Sequence, residues 1–358
     1  MHTPDISLEQ ARALIERAID KAEHLGLRGS VAVAGGSGVL VSASRMDASG
    51  AGGMARARSK AWIAATQQVP SSEHLRRMTT IAAPVAQGFV SCSPEANFPG
   101  AGGMPISSAG RAGSAVQVIG GIAASGAAVS PFYPDGTDPM EMIADGKAAN
   151  PEDIVVHYAL GLPYTGQHGN DHDRWTAAFG DWPDGKPDGR GMAPAPAASG
   201  QHEHRWAVAL ADQVIAEAGR RGVQVAVTIV DHRGDPVQQD WMAGAPPAAV
   251  AVAQAVAAAA ATFQCRSRDL GSLYPDAALA LLAAALPVAI LPAPGGLPVE
   301  EDGQIVAGLG VAGRDPAACE DIAATVLAAR HTAQPGTGSQ DAGSQDAGRR
   351  GGQPRDSG

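Results

Sequence analysis

Aromatic side chains are scarce in this chain of 358 residues: they make up 4% of it, although 45% is hydrophobic. Its cores must therefore be built mainly from Ala, Val, Leu and Ile. Cysteine is scarce too. Cys92, Cys265 and Cys319 are odd in number, far apart and without C-x-x-C spacing, so neither a disulfide framework nor a zinc knuckle is indicated. Positive charge is short, with 26 Lys and Arg against 36 Asp and Glu, a formal charge of -10 and no basic cluster. Nucleic acid and anionic membrane surfaces, which recruit clustered Lys and Arg, are excluded as partners. A long apolar run is missing as well: Ala277 to Pro292 is broken by Pro287 and is shorter than the ~20 residues of a bilayer span. Met1 to Glu9 has no basic region followed by an apolar run, as an ordinary signal peptide would. The expectation is a cytoplasmic protein.

What the chain does contain is a repeat. Ala11, Ala13, Leu14, Ile19, Ala22, Gly26, Val31, Gly38, Val41 and Met46 recur as Ala207, Ala209, Leu210, Ile215, Ala218, Gly222, Val227, Gly234, Val237 and Met242, at a constant offset of 196. The register then shifts slightly, and the glycine-rich loop Phe98 to Pro105 faces Ala293 to Pro298. Two copies are too few for a solenoid, so each reads as one globular domain paired with its twin.

The order of elements follows from periodicity. Ser7 and Gln10 form a capping box before the apolar series Leu8, Ala11, Leu14, Ile15, Ala18, Ile19 and Ala22, an amphipathic helix. Val31 to Ala34 and Val39 to Ser44 read as a hairpin around Gly35 to Gly38, followed by a helix over Met54 to Gln67 and a short one within Glu73 to Ala83. Gly88 to Ser91 reads as a strand leading to the glycine loop, and Pro105 to Ser107 with Val116 to Ala124 as a second hairpin. The second copy repeats this order, with strands expected near Val288 and over Ile305 to Val311 before a closing helix from Pro316 to Ala329. Helix, hairpin, helices and hairpin give an α+β layer with an antiparallel sheet.

Arg45-Met-Asp47, Lys60-Ala61, the loop ending at Pro105 and Gly120 to Gly126 resemble, in order and spacing, the GlcG/HbpS haem-binding (haem-degrading) family. The second copy resembles it through Val230-Asp231-x-x-Gly234, Pro294 to Pro298, and Gly308 to Gly313 followed by Asp315. The resemblance implies two profilin-like α/β sandwich domains, each an antiparallel sheet flanked by helices, forming a pseudo-dimer in a chain that assembles into homo-oligomers. The domains are expected over 5–130 and 205–331, with an inserted, partly ordered linker over 131–204 and a disordered tail over 332–358. The ligand it implies is haem or another tetrapyrrole, in a haem-degrading or an accessory role.

The copies have lost different polar residues. The first keeps Arg45, Asp47 and Lys60 but has Gly35 where the family has an aspartate; the second has Asp231, with Trp241, Ala243 and Val256 in the other three places. Two readings stand side by side. Arg45 and Asp47 form an ion pair with Lys60 on a solvated helix face, or Arg45, Asp47, Lys60 and Asp231 make one composite site. In that site Arg45 and Lys60 suit carboxylates, haem propionates included. An enzyme acting on a small carboxylated metabolite would use Asp47, Lys60 or Asp231 as acid or base. A third reading is a non-catalytic assembly subunit.

Gly102, Gly103, Gly295 and Gly296 lack the order of a phosphate loop, and their amides are candidates to line a small-molecule pocket. His232, beside Asp231, is either a haem ligand or general acid/base, or a turn residue before Arg233-Gly234. His168 and His172 have helical metal-ligand spacing, but Gly169-Asn170 between them is a poor helix interior, so a solvated loop is the alternative.

Overall fold

The computed structural model describes residues 6–24, 27–93, 97–108, 117–126, 151–162 and 204–333. The metal candidates His168 and His172 lie outside the described residues.

Helix α1 (Leu8–His24) opens with the capping box that its sequence announces: the Ser7 amide donates to Gln10 Oε1 at 3.0 Å and the Gln10 amide to Ser7 Oγ at 3.1 Å. Strands β1 (Ser30–Gly35) and β2 (Leu40–Arg45) form a hairpin whose turn needs Gly38 at φ +85, where a Cβ would lie 2.6 Å from the Trp62 ring. Then come α2 (Gly52–Gln67), α3 (Ser71–Thr80), α4 (Ala83–Ser91), β3 (Gly103–Ser107), β4 (Val118–Ser125) and α5 (Pro151–Leu160). The strand expected at Gly88 to Ser91 is instead the end of α4. A short apolar run does not by itself distinguish strand from helix, and here Pro84 in the first turn starts a helix.

The second half repeats the series. It comprises α6 (His204–Arg220), β5 (Val225–Asp231), β6 (Pro236–Trp241), α7 (Ala249–Phe263), α8 (Leu270–Leu273), α9 (Asp276–Ala285), β7 (Gly296–Glu301), β8 (Gln304–Gly313) and α10 (Pro316–Ala333). No strand forms near Val288, since β7 begins only at Gly296 after the glycine loop. No single helix among the described residues is long and apolar enough to cross a membrane.

All strands join one antiparallel eight-stranded sheet in the order β3-β4-β1-β2-β6-β5-β8-β7. The halves meet where β2 pairs with β6, and Ala43 lies opposite Gln239. These two residues are related by the repeat offset, so a pseudo-two-fold axis passes through their pair. The pseudo-dimer is thus a continuous sheet rather than two sheets stacked on each other.

Helices α1 and α5 cover one face of the first half around Ile15, Ile19, Val33, Ile122 and Val155. Helix α5, which the sequence reading left in the connecting segment, closes this core as α10 closes the core of the second half. On the opposite face α2 and α7 share an alanine-rich core that crosses the seam, including Ala43, Ala57 and Ala61 with Trp241, Ala249 and Ala253. Scarce aromatics and abundant alanine have this geometric outcome: the helices lie directly on strand backbone. A Cβ on Gly121 would stand 2.3 Å from the Ala61 carbonyl, and one on Gly310 would stand 2.0 Å from the Ala253 carbonyl.

Candidate functional site

Lys60 does not sit on a solvated helix face. It is buried on the inner side of α2, where Nζ donates to Glu152 Oε2 of α5 at 2.6 Å, with Ser125 Oγ at 3.4 Å and the Ala124 carbonyl at 3.5 Å. Both side chains of this pair are about 95% removed from solvent. The other Glu152 oxygen accepts the Gly126 amide at 2.7 Å, Arg56 Nε reaches Ser125 Oγ at 3.4 Å, and the Phe98 ring centroid lies 5.9 Å from Lys60 Nζ.

Next to Glu152, Asp153 Oδ1 accepts the Gly102 amide at 2.6 Å. Burial pushes the Asp153 carboxyl up to about 6, against the lowering influence of the Gly102 amide, His157 and Lys60. The glycine-loop amide therefore points at a buried carboxylate of this chain, and in the second half the Gly295 amide donates to the neighbouring carboxylate of that motif, Glu320, at 3.3 Å. Gly103 and Gly296 are required by packing, since a Cβ would lie 2.5 Å from Ser71 Oγ in the one case and 2.1 Å from the Val256 carbonyl in the other.

Arg45 and Asp231, 186 positions apart, do meet: Arg45 donates to Asp231 Oδ2 at 2.6 Å. Asp47 is not the partner of Arg45; its Oδ1 accepts the His204 amide at 3.0 Å, at the start of α6. Lys60 makes its ion pair with Glu152, so the composite set comes apart into one pair, Arg45 with Asp231, and two residues held elsewhere. Asp231 Oδ1 also accepts the amides of Arg233 and Asp235, which shapes the β5–β6 turn, and His232 is exposed on that turn beside Arg233.

A cleft of about 540 Å³ lies over the seam between α1 and α6, lined by Arg12, Glu16, Asp20, His204, Arg205 and Asp212 on its walls and by Ser44 and Gln238 on its floor. Arg12 grips Asp240 from this cleft with bonds of 3.0 and 2.8 Å, and it also pairs with Asp212. Charges on both walls make it unlike the apolar slot that a macrocycle fills.

Corresponding positions of the halves now separate function from scaffold. Ser71 Oγ donates to the Gly100 and Gly103 carbonyls, as Ser267 Oγ does to those of Ala293 and Gly296. The offset of 196 between these serines puts Lys60 opposite Val256 and His74 opposite Leu270, and the pairing of Ser30 with Ser125 and of Ala226 with Ala312 puts Ser125 opposite Ala312. His74, on α3, is buried, has no hydrogen-bond partner at Nε2, and packs on Phe89 with ring centroids 5.6 Å apart. Burial, and then the charge of Arg77, depress its pKa. Trp241, which stands in the place of Arg45, is buried in the seam core.

Sequence reasoning missed Glu152, Asp153 and His74. A signal for the first two was present: Glu-Asp-Ile occurs at 152–154 and again at 320–322. For His74 the signal was its alignment with Leu270. Among the described residues, no group of three or more His, Cys, Asp and Glu is placed to hold a metal ion.

The family described as "Haem degrading protein HbpS-like" matches residues 6–130 and 203–328. No curated protein matches the chain. Among solved structures, a PduOC complex with haem is 29% identical, over 34% of this chain and 88% of that one, with a TM-score of 0.31. A double mutant of Streptomyces reticuli HbpS is 27% identical, over 38% and 97%, with a TM-score of 0.33. Klebsiella pneumoniae protein ORFY is 23% identical, over 36% and 88%, also at 0.33.

Proposed function

We propose, from the premise that this chain belongs to the HbpS-like haem-degrading protein family in both of its halves, that it binds haem or a related tetrapyrrole, once per chain and through its first half. The observation that carries the reading is the inequality of the halves. Where the first half places His74, Lys60 and Ser125, the second places Leu270, Val256 and Ala312. Apolar replacements at all three positions leave a scaffold without the polar cluster of the first half, and without its unpartnered imidazole nitrogen in particular. The exposed Phe89, Val90 and Phe98 lie in the same half, around the glycine loop and α4, and offer the apolar surface that a flat macrocycle covers.

Lys60, Asp47 and Asp231 have other tasks in this reading. Each is held by a partner within the chain, so they support the fold around the ligand rather than act on it. Titration of the purified full-length protein with haemin, followed at the Soret band, tests the proposal. Saturation near one haem per chain is expected. Saturation at two would show that the halves are equivalent, and the absence of any saturable change would end the tetrapyrrole reading.

A further inference from the structure

His74 is set apart from the other described histidines by its surroundings. His157 Nδ1 lies 2.8 Å from the Asp153 carbonyl, His204 lines the charged cleft, and His232 is exposed beside Arg233. The His74 ring is 4% exposed, and its Nε2 is fully enclosed without any partner. Polar atoms of this kind are rare in folded proteins, because each forfeits the hydrogen bonds that water had given it. The second half shows that the fold does not need an imidazole here. Leu270, at the corresponding place, packs with Ala259, Leu279 and Ile290.

The cover over His74 is weakly attached. Helix α4 has no buried residue and leaves Val85, Phe89 and Val90 exposed to solvent, while the Phe89 ring packs at a 50° tilt against the imidazole. A second orphan belongs to the same neighbourhood: Asn97 Oδ1 is enclosed without a partner, and Asn97 Nδ2 donates to Ser93 Oγ, which in turn donates to the Phe89 carbonyl. An element that buries so little apolar surface opens at low free energy. Exposed Arg76 and Arg77 on α3 lie in the same neighbourhood, both paired with Glu73 at 2.7 and 2.9 Å, so that this surface keeps one positive charge in excess.

We infer that His74 supplies the axial ligand for haem iron through Nε2, in a site between α3 and α4 that is reached by displacement of α4. The assignment rests on the tetrapyrrole reading above and adds the ligating atom to it. Its apolar setting keeps the imidazole neutral, the form that ligates a metal. The unpartnered Nε2 of His74 and the Phe89 ring of α4 then belong to one site.

The test compares variants of the full-length protein titrated with haemin and read by the Soret band and by EPR of the ferric state. Wild type is expected to give the spectrum of an imidazole-ligated haem. His74→Leu borrows the residue of the second half; it is expected to keep a melting temperature at or above wild type while losing that spectrum, with affinity weakened about tenfold or more. His74→Gly is expected to regain the spectrum when free imidazole is added. A His74→Leu protein that titrates like wild type overturns the assignment, as does loss of the spectrum in His232→Ala in place of His74→Leu. Both of those results leave tetrapyrrole binding intact, whereas a wild type that binds no haemin overturns the functional reading itself.

Discussion

Lys60 and Glu152 form a charged pair of which the second half keeps only the carboxylate: Glu320 stands for Glu152 and pairs with Arg266 and Arg268, while Val256 stands for Lys60. Ions without water need a partner at close range, and at 2.6 Å each has one. Asp153, beside them, has no ion pair of that kind among the described residues, and its carboxyl is raised from 3.8 to about 6. The folded protein therefore holds a proton that the unfolded chain has already released between about pH 4 and 6. The contribution of this group is most favourable below pH 4, falls as pH rises through the window and is flat above it. Asp153→Asn, which keeps an oxygen for the Gly102 amide, is expected to remove the fall. Urea midpoints at pH 4, 5, 6 and 7 would show it as a growing advantage of the variant, and parallel curves would refute it. Lys60 was visible in the sequence as a residue that only one copy retains. Its partner was not visible, because Glu152 lies 92 positions away in a segment that read as linker.

Helices α2 and α7 touch bare strand backbone, and this is the role of the glycines that a phosphate-loop reading would have claimed. A Cβ on Gly310 meets the Ala253 carbonyl at 2.0 Å, so Gly310→Ala must push α7 away from β8. A loss of ~3 kcal/mol or more is expected, at the upper end of overpacking effects. Gly219, near the end of α6, meets nothing within 4 Å. Gly219→Ala is expected to gain up to ~1 kcal/mol from helix propensity. Chemical denaturation of the two variants tests the contrast, and equal effects would refute it. Most elements were legible because capping and apolar period act over a few residues, as in the Ser7 and Gln10 box. Helix α4 was misread because Gly88 to Ser91 is short and apolar, and its neighbours along the chain do not fix its period.

At the scale of the molecule the halves are locked by unequal residues. Arg12 of the first half binds Asp240 and Asp212 of the second, while the reverse contact would need Val208 to bind Ser44. Asp240 has no exposed side-chain surface, so Arg12→Ala would leave it without its counter-charge at the seam. A loss of ~3–5 kcal/mol in unfolding free energy is expected, and a loss below ~1 kcal/mol would mean that the seam is held by the α2–α7 core alone. The duplication, the family and the α+β class were determined by the sequence itself, since they rest on order and spacing along the chain. Tertiary structure alone decided the partners. Arg45 joined Asp231 instead of Asp47, Lys60 turned inward to Glu152, and His74 was left with a buried nitrogen and no partner. Charge pairs and orphaned atoms are set by distances across the fold, and those do not follow from separation along the chain.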